Sequence, residues 1–226
     1  MDGPLGPAPP SQDPLITPQM ALRAYACGIF PMSESADDAS IKWYEARARG
    51  VIPLDAAFHL PRRLARSLRQ LRFDLRCDTA FSQVVAACAA PRPDSTGTWI
   101  SQPLQRLYRQ LHAAGFAHSV ECWQGGDLVG GLFGIALRGA FFGESMFHHK
   151  RDASKVALVD LVARLRLGGF SLLDAQFHTQ HLGQFGCIEI DRDAYHQRLE
   201  QALTLEARFP VHDLSQSEPP CLLSPS

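Results

Sequence analysis

From residue 116 onward the chain alternates apolar runs with turn signals far more regularly than it does before that point. Ala117–Trp123, Leu128–Leu137 and Ala140–Phe147 are separated by Gly125-Gly126-Asp127 and Arg138-Gly139, which predicts a three-strand antiparallel meander. Asp152 then reads as the cap of a helix whose inward face is Val156, Ala157, Leu161, Val162 and Leu165, ended by Gly168-Gly169. Phe170–Gln176 predicts a strand, Thr179–Phe185 a short helix, Ile188–Ile190 a strand and Ala194–Leu203 a last helix.

The first half reads mainly as helix. Thr17-Pro18 supplies an N-cap with proline at the first helical position; Leu22, Tyr25 and Ala26 share a face, and Gly28 ends the turn. Ser33–Ser40 is a polar, acidic loop. Leu60, Leu64, Leu68 and Leu71 recur at helical spacing and predict a helix over Pro61–Arg72 with its arginines outside. Phe73–Cys77 alternates like a short strand, Thr79 caps a helix through Cys88, and Pro91–Gly97 is a loop. A further helix opens at Ser101 or Gln102, turns Leu104, Leu107, Tyr108 and Leu111 inward and stops at Gly115. This order predicts an α+β protein: a disordered Pro-rich extension over 1–14, a small N-terminal α/β domain over 15–93, a mixed sheet with packed helices over 94–208, and a tail over 209–226.

Composition narrows the classes. With 226 residues, 46% hydrophobic and 20% charged, the chain is an ordinary globular protein. A formal net charge of −1 gives no global attraction to nucleic acid, so any such contact must be local; no DNA partner is expected. No apolar run approaches ~20 residues and no secretory leader is visible, so neither a membrane partner nor export is expected. Cysteines at positions 27, 77, 88, 122, 187 and 221 form no C-x-x-C pair and read as reduced core residues.

The concentrated basic segment is Arg62, Arg63, Arg66, Arg69, Arg72 and Arg76, opposed there by Asp74, with Lys42, Arg47 and Arg49 nearby. Its imbalance of sign suits a phosphate backbone; a merely solvated helix face is the plainer alternative. His148, His149, His178 and His181 lack a cysteine or carboxylate at ligand spacing, and no metal is expected.

Three polar groups interrupt strands that otherwise read as buried: Glu144, Asp174 and Gln176. Burying a neutral polar group unpaired costs roughly 2–7 kcal/mol, so such groups are either used or satisfying backbone donors. Asp174 and Gln176 stand two apart and are expected on one face of the sheet, with Asp174 holding the Gln176 NH₂.

The chain resembles the leucyl/phenylalanyl-tRNA–protein transferases from about Thr17 to about Leu203. The resemblance rests on Gly28-Ile29-Phe30-Pro31, Thr98-Trp99-Ile100, Ala117-His118-Ser119-Val120-Glu121, Leu128-Val129-Gly130-Gly131-Leu132-Phe133-Gly134, Gly143-Glu144-Ser145-Met146-Phe147 and Ala153-Ser154-Lys155 in that order. It implies a GNAT-like C-terminal domain and a cytoplasmic aminoacyltransferase without cofactor. Donors would be leucyl-tRNA and phenylalanyl-tRNA (with methionine a possible third amino acid), and acceptors proteins or peptides with N-terminal Arg or Lys, generating an N-degron. Glu144, Asp174 and Gln176 would be catalytic. Trp99 and Met32 would meet the 3′-adenosine, Met32 standing where some relatives carry tryptophan. Leu132, Phe141, Met146, Leu161 and Leu165 would line the side-chain pocket, and Arg62, Arg66, Arg69, Arg72 and Arg76 would follow the tRNA backbone. Two competing readings are a CoA-dependent GNAT N-acyltransferase and a non-catalytic RNA-binding module. The absence of glycine across His148–Ala153 argues against the former.

Overall fold

The computed structural model describes residues 16–70, 73–91 and 97–212; Arg72, the extension over 1–14 and most of the expected 91–97 loop lie outside these, and no side chain is described for Arg69. Helix α1 (Pro18–Ala26) begins as its sequence predicts, the Thr17 hydroxyl accepting from the Met20 N–H at 3.2 Å. Three short strands follow that sequence reading did not foresee: β1 (Phe30–Met32) and β2 (Lys42–Tyr44), an antiparallel pair, and β3 (Ala48–Ile52). Next come α2 (Arg62–Arg69), β4 (Asp74–Cys77), α3 (Phe81–Ala89) and α4 (Gln102–Ala113). The meander is β5 (Ala117–Gln124), β6 (Asp127–Leu137) and β7 (Ala140–His148), followed by α5 (Ala153–Leu167) and β8 (Leu172–Gln176). The chain then forms α6 (Gln180–Gly183), β9 (Ile188–Asp191) and α7 (Arg192–Leu203).

Seven strands form one sheet in the order β4-β5-β6-β7-β8-β3-β9, antiparallel except for β7–β8. This is the mixed sheet expected of an α+β chain. Strands from residues 48–52 and 74–77 belong to it, so both sides of the 93/94 boundary build the same sheet. Neighbouring residues bury on opposite faces. Phe133, Phe142 and Leu172 pack under α1, α3, α4 and α7, whereas Leu132, Phe141 and Leu173 pack under α2 and α5. Covering both faces explains why these strands read as apolar runs instead of strict alternation.

Two expected caps are made differently. Thr79 does not cap α3; the fully buried Glu121 carboxylate accepts from the Thr79 hydroxyl, the Ala80 N–H (2.7 Å), the Ser119 hydroxyl (2.9 Å) and the Trp123 indole (3.0 Å). Asp152 precedes α5 in a left-handed conformation (φ 67°), and its carboxylate faces Lys155 at 3.4 Å instead of the helix N–H groups. The start of the expected tail, over residues 209–212, packs onto the domain. Phe209 stacks on His118 and Phe141, while buried Arg164 donates to the carbonyls of Pro210 and His212 at 2.7 and 2.8 Å.

The feature that makes a site is a split in the sheet. β7 and β8 pair only through Ala140↔Leu172, Phe141↔Leu173 and Phe142↔Asp174, then separate. On the β7 side, Gly134 pairs with Gly143 and Phe133 with Ser145, leaving Glu144 as the extra residue of a bulge. On the β8 side, Gln176 has φ 62°, a left-handed conformation that costs a non-glycine residue about 1 kcal/mol or more. Its turn is closed by the Phe177 N–H donating to the Ala175 carbonyl at 2.7 Å. Gly50 permits that turn, since a Cβ there would come within 2.6 Å of the Phe177 and His178 backbone.

Candidate active site

Two buried carboxylates flank the split, each on its own set of partners. Glu144 is reached from α1 and α4: the Tyr25 hydroxyl donates to Oε1 and the Tyr108 hydroxyl to Oε2, both at 2.7 Å. The Gln176 amide donates through Nε2 to the same Oε1 at 3.3 Å. None of these partners carries a positive charge. Burial therefore dominates and pushes the Glu144 carboxyl up to about 7, against the pull of the tyrosine hydrogen bonds. Burial, and then the charge of Glu144, hold both tyrosines well above their ordinary value.

Asp174 is held by an ion. Arg49 on β3 donates through Nε to both carboxylate oxygens at 3.0 Å and through Nη2 to Oδ2 at 2.8 Å, and its Nη1 reaches the Gly28 carbonyl at 3.0 Å. Tyr195 on α7 adds its hydroxyl at 2.7 Å. The guanidinium lies between the Phe30 and Tyr195 rings at 4.6 and 4.5 Å. Burial opposes the arginine's charge, but Asp174 more than offsets it and raises the guanidinium above its usual value. The remaining contact of Asp174 is with the Gln176 backbone N–H at 2.7 Å.

This corrects two expectations. Asp174 orients the Gln176 main chain, not its amide, and the side-chain amide belongs to Glu144. The spacing named the pair but not the partners: Arg49 and Tyr195 take the Asp174 oxygens that were expected to hold the amide. Arg49, expected among the surface cations, is 1% exposed and is the counter-ion of the site.

A cavity of about 790 Å³ fills the split, bordered by Gly143–Phe147 on β7, Asp174 and Ala175 on β8, and Trp99. Its apolar wall includes Leu132, Leu158, Leu161 and Leu173. Gln176 is not among the bordering residues; it meets the cavity through Glu144. Among the described residues no group of three or more His, Cys, Asp or Glu is placed to hold a metal.

The leucyl/phenylalanyl-tRNA protein transferase family model matches residues 51–200, and the model of that family's N-terminal domain matches residues 15–47. The chain belongs to this family. A leucyl/phenylalanyl-tRNA–protein transferase of Phenylobacterium zucineum is 60% identical over 188 residues, covering 83% of this chain and 85% of that protein. One from Paramagnetospirillum magneticum is 55% identical over 86% of this chain and 92% of that protein. Among solved structures, L-PGS from Bacillus licheniformis is a loose likeness: 13% identity and a TM-score of 0.38, over 71% of this chain and 53% of that one.

The residues matched to the family separate on the structure. Leu132, Met146 and Leu161 border the cavity. Phe141 and Leu165 do not: Phe141 is fully buried between Phe170 and Phe209, and Leu165 faces the same α5-side core. Trp99 borders the cavity; Met32 does not, and packs against the core beside Ser33, whose N–H donates to the Trp99 carbonyl at 3.3 Å. Arg62 and Arg66 are exposed on α2 while Leu64 turns inward. Arg76 is engaged locally, paired with Asp74 at 2.6 Å and lying over the Trp123 ring at 4.6 Å. Sequence reading assigned no site role to Tyr25, Tyr108 or Tyr195, and placed Arg49 only in the basic region suited to a phosphate backbone. The tyrosines left a signal only in falling on inward helix faces, where a hydroxyl needs a partner.

Proposed function

We propose that this chain transfers leucine or phenylalanine (with methionine a third candidate) from aminoacyl-tRNA to the α-amine of proteins beginning with Arg or Lys. The product would be an N-degron, made in the cytoplasm. No helix among the described residues is long and apolar enough to cross a membrane. The observation that carries the reading is Glu144 at the cavity edge: a carboxyl near neutrality, bound to a glutamine amide and facing an apolar wall that begins at Leu132 and Leu161.

The chemistry is aminolysis of an ester. An α-amine has a pKa near ~7.7–8.0 and arrives mostly as ammonium. Glu144, poised near the same range, accepts one proton from it. Gln176, behind the cavity wall, donates its NH₂ to Glu144 and so fixes the carboxylate oxygen that receives the proton. The nitrogen attacks the ester carbonyl; the new C–N bond forms as the bond to the ribose oxygen breaks. Of the two protons the nitrogen gives up, one passes by way of Glu144 to that oxygen and the other leaves Glu144 for solvent. Holding the reactants about 3–3.5 Å apart supplies several kcal/mol without a covalent intermediate.

Arg49 and Tyr195 keep Asp174, and through it the Gln176 turn, in place. Trp99 offers an aromatic face to the terminal adenine, a contact of about 1–3 kcal/mol. Incubation with tRNA charged with labelled leucine and a peptide beginning with Arg tests the proposal: the peptide should become labelled. An unlabelled peptide, with leucine still on tRNA, would refute it.

A further inference from the structure

The cavity is electrically two-ended. Its acidic end is Glu144, whose oxygens are taken by Tyr25, Tyr108 and Gln176. Its other edge is formed by the turn from β7 into α5 and by α6, and there His148, His149 and His181 border the space together with buried Ser154. Lys150, Arg151 and Lys155 belong to the same turn and helix start. The acid among them is Asp152, faced by Lys155 at 3.4 Å and Arg151 at 3.8 Å. Burial first, then the charges of Lys155 and His148, hold His181 below its ordinary value. The positive end of α5, a helix of 15 residues, points to the same edge.

We propose that His148, His149, His181 and Lys155 form a subsite for a phosphodiester of the RNA donor's 3′ end. The inference rests on the aminoacyl-tRNA reading above and deepens it. Of the two substrates, the acceptor brings a positive charge on its amine and on its Arg or Lys side chain, which this edge repels and the Glu144 end attracts. The donor brings phosphates, which this edge attracts. A cavity polarised in this way sorts the substrates by charge before any shape is read. It also places the anchoring phosphate on the β7–α5 turn, beside the cavity that receives the aminoacyl group.

The trinucleotide CCA and adenosine, titrated against the full chain with tryptophan fluorescence as readout, test it. The parent protein should bind CCA more tightly than adenosine, and only CCA binding should weaken with salt. Lys155→Ala combined with His181→Ala should lower CCA affinity about tenfold, and loss of the lysine charge should flatten its log–log salt slope by about 0.7. Adenosine affinity should be unchanged, and Lys155→Arg should keep most of the CCA affinity. The proposal is overturned if the double variant binds CCA as the parent does, if both probes weaken equally, or if CCA binding by the parent ignores salt. Loss of the aminoacyl-transfer reading has a different signature: the parent fails to label a peptide whatever these titrations give.

Discussion

Glu144 and Asp174 are both carboxylates buried beside the same split, on adjacent strands, yet their surroundings differ in one respect: the charge of the partner. Asp174 faces Arg49 inside a ring of Phe30 and Tyr195, so its negative charge is compensated. Glu144 has only hydroxyls and an amide, so its charge is solvated but not neutralised. Good hydrogen-bond geometry at 2.7 Å is common to both, which isolates net charge as the variable. A carboxylate paired with a cation makes an anchor, whereas a group poised to gain and lose a proton makes a base.

The comparison is broken most severely by removing the cation. Arg49→Ala leaves Asp174 buried and unpaired, at a cost of about 3–5 kcal/mol. Thermal melting should register it as a large loss of stability. Asp174→Asn should do nearly the same damage by stranding the guanidinium, so its loss of activity will follow loss of fold. Restoring a neutral pair is the sharper version: the double variant Arg49→Met with Asp174→Leu should recover part of the stability and none of the transfer.

Glu144→Gln addresses the other half. It keeps the shape, removes the base, and should lower kcat by about 10²–10⁴-fold with little change in melting temperature at pH 5. The sign of the pH effect follows from a carboxyl raised in the fold to about 7 from 4.5. Between those values the folded protein holds a proton that the unfolded chain has released. Stability linked to this group is therefore present in full below 4.5, declines as pH rises, and is lost above about 7. The parent should lose melting temperature from pH 5 to 8 relative to Glu144→Gln, and its kcat should rise with pH through an inflection near 7. Parallel pH profiles for the two proteins would remove Glu144 from the chemistry.

What could be read from the chain and what could not divide along the same line. The meander, α5 and β8 were legible because apolar runs end in glycine turns and each strand pairs with a neighbour close in sequence. Glu144 stood out because an acid in an apolar run has to be explained. β3 did not, since Arg49 and Gly50 interrupt its alternation and its partners are β8 and β9, more than a hundred residues away. Arg49 amid Lys42 and Arg47 reads as a solvent-facing cation, and nothing local reveals a partner 125 positions on. Gln176 was recognised but given the wrong partner, because the Asp174 oxygens are taken by Arg49 and Tyr195, which lie far off in sequence. Charged pairs made across the fold are invisible to periodicity; a lone polar residue in an apolar run is not.

Gln176→Ala is expected to be intermediate. It removes the amide that holds Glu144 and should cost about 10–100-fold in kcat with donor KM preserved. Gln176→Gly relieves the left-handed backbone and should raise stability by up to about 1 kcal/mol while losing the same activity. That opposition of stability and rate would mark Gln176 as strained in the service of function. If both variants are equally active as the parent, the amide has no part in the reaction.

The smallest effect separates pocket from core on a single helix. Leu161 borders the cavity, and Leu165, one turn later, does not. Leu161→Ala enlarges the space for the transferred side chain and should shift the Phe:Leu ratio of kcat/KM toward phenylalanine, by an amount worth about 1–3 kcal/mol. Leu165→Ala opens a void in the packed core one turn further along the same face. It should cost about 2–5 kcal/mol in stability and leave the ratio where it was. Competition between leucyl- and phenylalanyl-tRNA, run on both variants below their melting temperatures, distinguishes the two. A ratio that moves equally in both would mean that α5 transmits core packing to the cavity wall, and that the boundary drawn between these two leucines does not govern specificity.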